Sequence, residues 1–215
     1  MLDTQFLRPL GDAGNPDSWQ FPVIMERVNG AFAQPVVSGT YAEIESFINA
    51  GQRLVAAGAC AVTTTCGFLV RHQHALEAVL GIPVRTSTLL SYNALQLKLG
   101  KSHRVAILTI DKAALDRSVR AAAGIPDEAL IFDLPGESHF RRAILESAFP
   151  LDLPTAQHEW VSLALSVQRA HPDVGQWLFE CANMPPYAAA VAAATGLPVY
   201  DALAMGDALY RSVQP

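Results

Sequence analysis

The chain has 215 residues, 51% of them hydrophobic, enough to fill a core without disulfide staples. Lys and Arg number 15 against 20 Asp and Glu, a formal charge of −5, and no basic run stands out that would neutralise phosphates, so nucleic acid and membrane surfaces are excluded as expected partners. The three cysteines form no CxxC pair, and Met1-Leu2-Asp3-Thr4 lacks the basic and apolar regions of a leader; a disulfide framework and a zinc ribbon are excluded, and a cytoplasmic location is expected.

Residues 1–21, rich in Asp, Gly, Pro and Asn, read as a long loop with a stub of strand at its start, since the chain begins almost at that strand's end. Pro22 to Val28, a short apolar and β-branched run between turn signals, reads as a strand. Ser38-Gly39-Thr40 offers an N-cap to a helix from Tyr41 to Ala57, where Ile44, Phe47, Ile48, Leu54 and Val55 recur at helical spacing before Gly58. Ala59 to Thr64 is the next strand, ending at Cys66. A helix over 68–80, a short strand over 82–84 and a helix over 87–99 follow.

Gly100-Lys101-Ser102-His103 is a polar break and a candidate hinge, and after it the pattern begins again. Residues 104–110 form an unbroken apolar strand of the kind buried on both faces of a parallel sheet. Asp111 is a cap for a helix to Ala123, which Gly124-Ile125-Pro126 breaks. A strand over 130–134, helices over 138–147 and 156–170, and a strand over 176–180 lead to Cys181. A helix over 185–194, a strand over 197–200 and a helix over 202–212 complete the chain. This alternation predicts an α/β fold of two pseudo-symmetric lobes, each a four-stranded, mainly parallel sheet flanked by helices. The lobes are placed at 1–100 and 101–201, with the helix over 202–213 a candidate to cross back onto the first.

Two stretches stand apart. Thr63-Thr64-Thr65-Cys66-Gly67-Phe68 is followed by Gly81-Ile82-Pro83-Val84, and Phe179-Glu180-Cys181-Ala182-Asn183-Met184 by Gly196-Leu197-Pro198-Val199, the glycine in each case fifteen residues after the cysteine. A cysteine repeated with its downstream turn points to two related halves. Each thiol is placed just beyond the end of a parallel strand and at a helix start, where ligands bind and where N–H groups favour a thiolate or a bound carboxylate. A twofold relation would set Cys66 and Cys181 on opposite walls of a cleft between the lobes. Two weak acids flanking one carbon permit proton removal from one face and delivery to the other. Cys60, at a strand start, reads as a packing residue.

At these residues the sequence resembles the aspartate/glutamate/hydantoin racemase superfamily, in Leu2-Asp3-Thr4 with Pro9 and Gly11, Thr64-Thr65-Cys66-Gly67, Val105 to Thr109, and Glu180 to Tyr187. The resemblance implies two flavodoxin-like lobes, a cysteine from each in the cleft, no cofactor, and a racemase or epimerase acting on a small carboxylate-bearing compound, with a homodimer as the candidate assembly. The amino-acid racemases follow their cysteines with Asn-Thr or Thr. Here Gly67-Phe68 and Ala182-Asn183 stand instead, leaving the backbone at Gly67, Phe68 and Ala182, together with Thr65 and Asn183, to hold the substrate.

Further binding candidates are Thr109, at the end of the strand that opens the second half, and Asp3, Arg8 and Asn15 in the N-terminal loop; an arginine suits a carboxylate by a bidentate contact. A β-branched strand position, a turn cap or a solvated loop accounts for each of these equally. His72 and His74 lie two apart on a helix and point in different directions, so no metal site is expected. The reading is thus an isomerase with Cys66 and Cys181 as its acid/base pair; the alternatives are a maleate-type isomerase with a nucleophilic cysteine and a two-lobed binding protein with inert thiols.

Overall fold

Short strands and helices alternate along the chain, and the computed structural model, which describes residues 1–41 and 43–214, arranges them as parallel sheets flanked by helices. In the first half come α1 (Ala33–Val37), α2 (Ile44–Ala56), β1 (Val62–Thr63), α3 (Gln73–Leu80), β2 (Val84–Arg85) and α4 (Tyr92–Leu99). β1 and β2 pair in parallel. The expected four strands are therefore two, with one isolated parallel bridge, Leu2 to Val28, beside them. The run expected as a strand from Pro22 makes no ladder: Pro22 has no N–H to give, and Pro22 to Glu26 line a cavity of about 400 Å³ instead.

α1 was not foreseen, because five residues show no period; Pro35 fits its first turn, and Val36 and Val37 are buried. The helix expected from Tyr41 begins at Ile44, and Ala42 lies outside the described residues. Thr40 does not cap it, since its hydroxyl donates to the Pro35 carbonyl.

The second half holds β3 (Arg104–Thr109), α5 (Arg117–Ala123), β4 (Leu130–Asp133), α6 (His139–Leu145), α7 (Leu153–Ala170), β5 (Val174–Phe179), α8 (Ala188–Thr195), β6 (Val199–Tyr200) and α9 (Ala202–Ser212). Its sheet runs β4-β3-β5-β6, all parallel. Val105 to Leu108 and Trp177 to Phe179 are fully buried, as expected of strands covered on both faces. Each such large side chain contributes about 1.5–3 kcal/mol of burial. Asp111 is not the cap of α5: the Arg141 guanidinium holds its carboxylate at 2.7 Å, and the cap is Asp116, which accepts from Val119 N–H at 2.9 Å.

The repeated turn has a structural purpose. Gly81 and Gly196 end α3 and α8 with φ of 65° and 69°, a left-handed conformation that costs glycine no Cβ clash. The proline two residues later then accepts a strand N–H, Val62 to Pro83 and Trp177 to Pro198, both at 2.9 Å. α9, capped by Asp201, packs onto the N-terminal loop, where Tyr210 stacks on Phe21 at 4.0 Å between ring centroids. Among the described residues no helix is long and apolar enough to cross a membrane.

Candidate active site

β3 is the first strand of its sheet, yet β4 lies on one side of it and β5 on the other, so strand order reverses there; in open α/β sheets the crevice beyond the strand ends at such a point is where ligands bind. The register sets Leu108 opposite Phe179. The next residues, Thr109 and Glu180, therefore stand side by side at the crevice. The Thr109 hydroxyl donates to Glu180 Oε2 at 2.9 Å, and the N–H groups of Ile110 and Gly67 also face the carboxyl. Glu180 is only 2% exposed. Burial pushes its pKa from 4.5 up to about 7, with the three donors opposing and the charge of Asp111 adding to the rise.

Gly67 brings the two cysteine loops together. A Cβ added there would lie 2.7 Å from the Glu180 carbonyl oxygen, with the Glu180 carboxyl also in its way. The residue after Cys66 thus abuts the residue before Cys181, and no side chain fits between them. This explains why the hydroxyl or amide found after the cysteine in the amino-acid racemases has no counterpart in this chain.

Cys66 precedes the 3-10 turn Gly67–His72 and is 6% exposed. Burial, and next the Glu180 charge, push its thiol up to about 12, against the pull of the Phe68 and Leu69 N–H groups and Arg71. Cys181 is equally buried, and its thiol is also pushed up, first by burial and then by the charges of Glu180, Cys66 and Asp12, with the Asn183 N–H pulling the other way. Burial thus favours the neutral thiol at both cysteines.

The Cys181 Sγ donates to Asn183 Oδ1 at 3.4 Å, while Asn183 Nδ2 donates to Asp12 Oδ2 at 2.6 Å. An aspartate can only accept, so the Asn183 amide is oriented by Asp12 with its oxygen toward the sulfur. Asp12, 1% exposed, is in turn held by Arg8 at 2.8 Å and by the Gly14 N–H at 2.7 Å. Ala13 N–H donates to the Ala182 carbonyl at 3.1 Å. The N-terminal loop is thereby fastened to the second cysteine loop.

Of the sequence candidates, Thr109, Gly67, Ala182 and Asn183 gather with Cys66 and Cys181. Thr65 is adjacent, but its hydroxyl accepts the Leu2 N–H at 3.3 Å and so fastens the first residues of the chain. Phe68 is 1% exposed and packed in the core. Arg8 is engaged by Asp12 and by Thr4. Asn15 caps the 3-10 turn Pro16–Ser18, and Asp3 accepts from Gly30 N–H and pairs with Arg27.

Sequence reasoning passed over Glu180 and Asp12. Both lay in view, one inside the cysteine stretch and one in the loop, but a carboxylate beside a turn ordinarily faces water. The usable signal for Glu180 was its place directly after a strand apolar on both faces. Cys60 is exposed rather than packed, on the wall of the 400 Å³ cavity, which is not lined by either buried cysteine. Among the described residues no three His, Cys, Asp or Glu side chains are grouped to hold a metal ion.

No family model matches the chain. A dimethylsulfoniopropionate lyase of Durusdinium sp. clade D is 31% identical over 217 residues, covering 98% of this chain and 72% of that protein. Dimethylsulfoniopropionate lyase 7 of Emiliania huxleyi is 28% identical, over 94% of this chain and 62% of the relative, so the chain spans less than two thirds of it. Among solved structures, a variant of arylmalonate decarboxylase in a sulfate-associated form superposes with a TM-score of 0.62 at 22% identity, over 96% of this chain and 88% of the other. Allantoin racemase from Pseudomonas fluorescens gives 0.54 at 16% identity, over 77% and 67%. A putative Asp/Glu racemase from Yersinia pestis gives 0.52 at 16% identity, over 82% and 76%. The fold is that of the aspartate/glutamate racemase superfamily, as the resemblance implied. The sequence relatives, however, are named as lyases, and this overturns the expected racemase or other isomerase class, together with the inert binding protein.

Proposed function

Because the chain belongs to the family of the dimethylsulfoniopropionate lyases, we propose that it cleaves dimethylsulfoniopropionate by β-elimination, with Cys66 and Cys181 supplying the proton chemistry. The observation that supports this reading is the pair of buried thiols gathered about Glu180 at the crevice beyond β3 and β5. The substrate named for the relatives carries a carboxylate, two methylene carbons and a dimethylsulfonium group. A thiolate removes a proton from the carbon next to the carboxylate, and that C–H electron pair becomes the new double bond. The bond between the next carbon and sulfur breaks, and sulfur leaves with its electron pair as neutral dimethyl sulfide. The thiol returns its proton to solvent, so the zwitterion yields acrylate, dimethyl sulfide and one proton.

Racemisation begins with the same proton loss beside a carboxylate, which is why paired cysteines pointed there. The cysteines identify the base and say nothing of a leaving group. With a sulfonium on the neighbouring carbon, elimination is open to the carbanion in place of reprotonation.

Burial favours the protonated form of both thiols, so a thiolate base has to form before the proton is removed. The N–H groups of Phe68, Leu69 and Asn183 stabilise the thiolate. The test is direct: the folded protein, given dimethylsulfoniopropionate, is expected to release dimethyl sulfide and acrylate in equal amounts, and more slowly when the carbon next to the carboxylate carries deuterium. Absence of both products from folded protein would overturn the proposal.

A further inference from the structure

We infer that Glu180 is the residue that recognises the cationic head of the substrate, and that it selects onium carboxylates over neutral or acidic ones. The inference rests on the lyase reading and names the feature of the substrate that this site selects. Other carboxylates near the crevice have cations: Asp12 is paired with Arg8 at 2.8 Å and Asp111 with Arg141 at 2.7 Å. Glu180 accepts from the Thr109 hydroxyl and is faced by the N–H groups of Ile110 and Gly67, and among the described residues no Lys, Arg or His side chain forms an ion pair with it. Cys66, Cys181 and Asp111, all acids, are coupled to it.

A buried carboxylate without a counter-ion is costly, and a bound cation recovers that cost. A second negative group in the same place would be repelled, which sets the site against dicarboxylates such as aspartate and glutamate. Burial is the main cause that keeps both thiols protonated, and the Glu180 carboxylate, when ionised, adds to it. A sulfonium beside it offsets the Glu180 part of that rise, so the thiolate base forms more readily when an onium substrate is in place. The attraction fades as the C–S bond breaks and sulfur becomes neutral. By itself the contact therefore favours binding over turnover, and its kinetic gain comes through the base.

Two probes separate charge from shape: the trimethylammonium analogue of the substrate and its uncharged tert-butyl isostere, each a carboxylate of the same length. Wild-type protein is expected to bind the ammonium compound at least roughly thirtyfold more tightly, and Glu180→Gln to reduce that ratio to below about threefold. Equal binding of the two probes by wild type, or a preference that persists in Glu180→Gln, overturns the inference. Should the variant not fold, the ratio is read in wild type alone across about pH 5 to 8. It is expected to fall as pH drops below about 7, where the carboxyl takes up its proton, and a flat ratio overturns the inference. Dimethyl sulfide release is measured on the same preparations. Release without cation preference sinks this inference and leaves the lyase reading standing; cation preference without release does the reverse.

Discussion

After Cys66 and after Cys181 the chain follows one path: a 3-10 turn, a helix, a left-handed glycine and a proline whose carbonyl takes a strand N–H at 2.9 Å. Around the sulfurs the two paths part. Cys66 sits at the end of a two-residue strand in a two-stranded sheet, and its neighbour Gly67 carries no side chain at all. Cys181 follows the strand β5 of the four-stranded sheet, whose last three residues are fully buried, and is wired through Asn183 and Asp12 to Arg8. Scaffold is thus held in common, while the charged groups around the sulfurs differ: Glu180 comes from the second half, and Asp12 with Arg8 from the N-terminal loop. Glu180 is the shared element, supplied by one loop and accommodated by the glycine of the other.

The largest expected effect comes from removing either sulfur. Cys66→Ser and Cys181→Ser should each lower dimethyl sulfide release by about 10²–10⁴-fold, the range for loss of a positioned acid or base, with unfolding midpoints near wild type. If one variant keeps nearly full activity, the two loops are not equal partners and the chemistry belongs to the other. Proton exchange at the carbon beside the carboxylate, followed in heavy water, then shows which thiol removes the proton.

Gly67→Ala attacks the contact between the loops. The added methyl meets backbone as well as carboxyl, so a flexible side chain cannot simply swing away. We expect a loss of about 1–3 kcal/mol of stability from overpacking. A displacement of Glu180 and Cys66 by a fraction of an ångström should cost activity by about 10²-fold. Chemical denaturation and headspace assay together check it; unchanged stability and activity would mean that the loops do not depend on this packing.

The main strands of the second half were legible from sequence because β3 and β5 are apolar on both faces, a pattern with few competing explanations. The first half was less so. Its strands are two residues long, too short for any period to register, and Pro22 to Val28 carries a strand-like composition but pairs only through the single bridge at Val28. In the site, the cysteines announced themselves by repetition. Glu180 did not, because whether a carboxylate finds a cation depends on what other segments bring to it, and here Gly67, Thr109 and Ile110 bring only neutral donors.

That isolation of Glu180 gives a pH signature. Its pKa is raised in the fold, from 4.5 to about 7, so the folded state holds a proton that the unfolded chain has already released. Stability from this group is therefore present below about pH 4.5 and lost as pH rises through about 7, by about 3 kcal/mol at most. His72 acts in the opposite direction, since its lowered pKa makes the folded state favour the neutral ring. The difference between wild type and Glu180→Gln isolates the glutamate: the variant should lose the decline between about pH 5 and 7.5. A parallel pH course for both proteins would show that the carboxyl is not held protonated by the fold.

The smallest effect tests the shared scaffold. Gly81 and Gly196 have open space where a Cβ would go, so alanine at either meets no neighbour and pays only for the left-handed backbone. Each substitution should cost about 1 kcal/mol, alike in the two halves, with dimethyl sulfide release unchanged. Equal costs would mark the repeated turn as architecture, independent of the wiring that separates Cys181 from Cys66. Unequal costs, or a loss of activity from one glycine alone, would mean that the turn itself positions its cysteine, and that the asymmetry between the halves begins at the scaffold and not at the charged groups around the sulfurs.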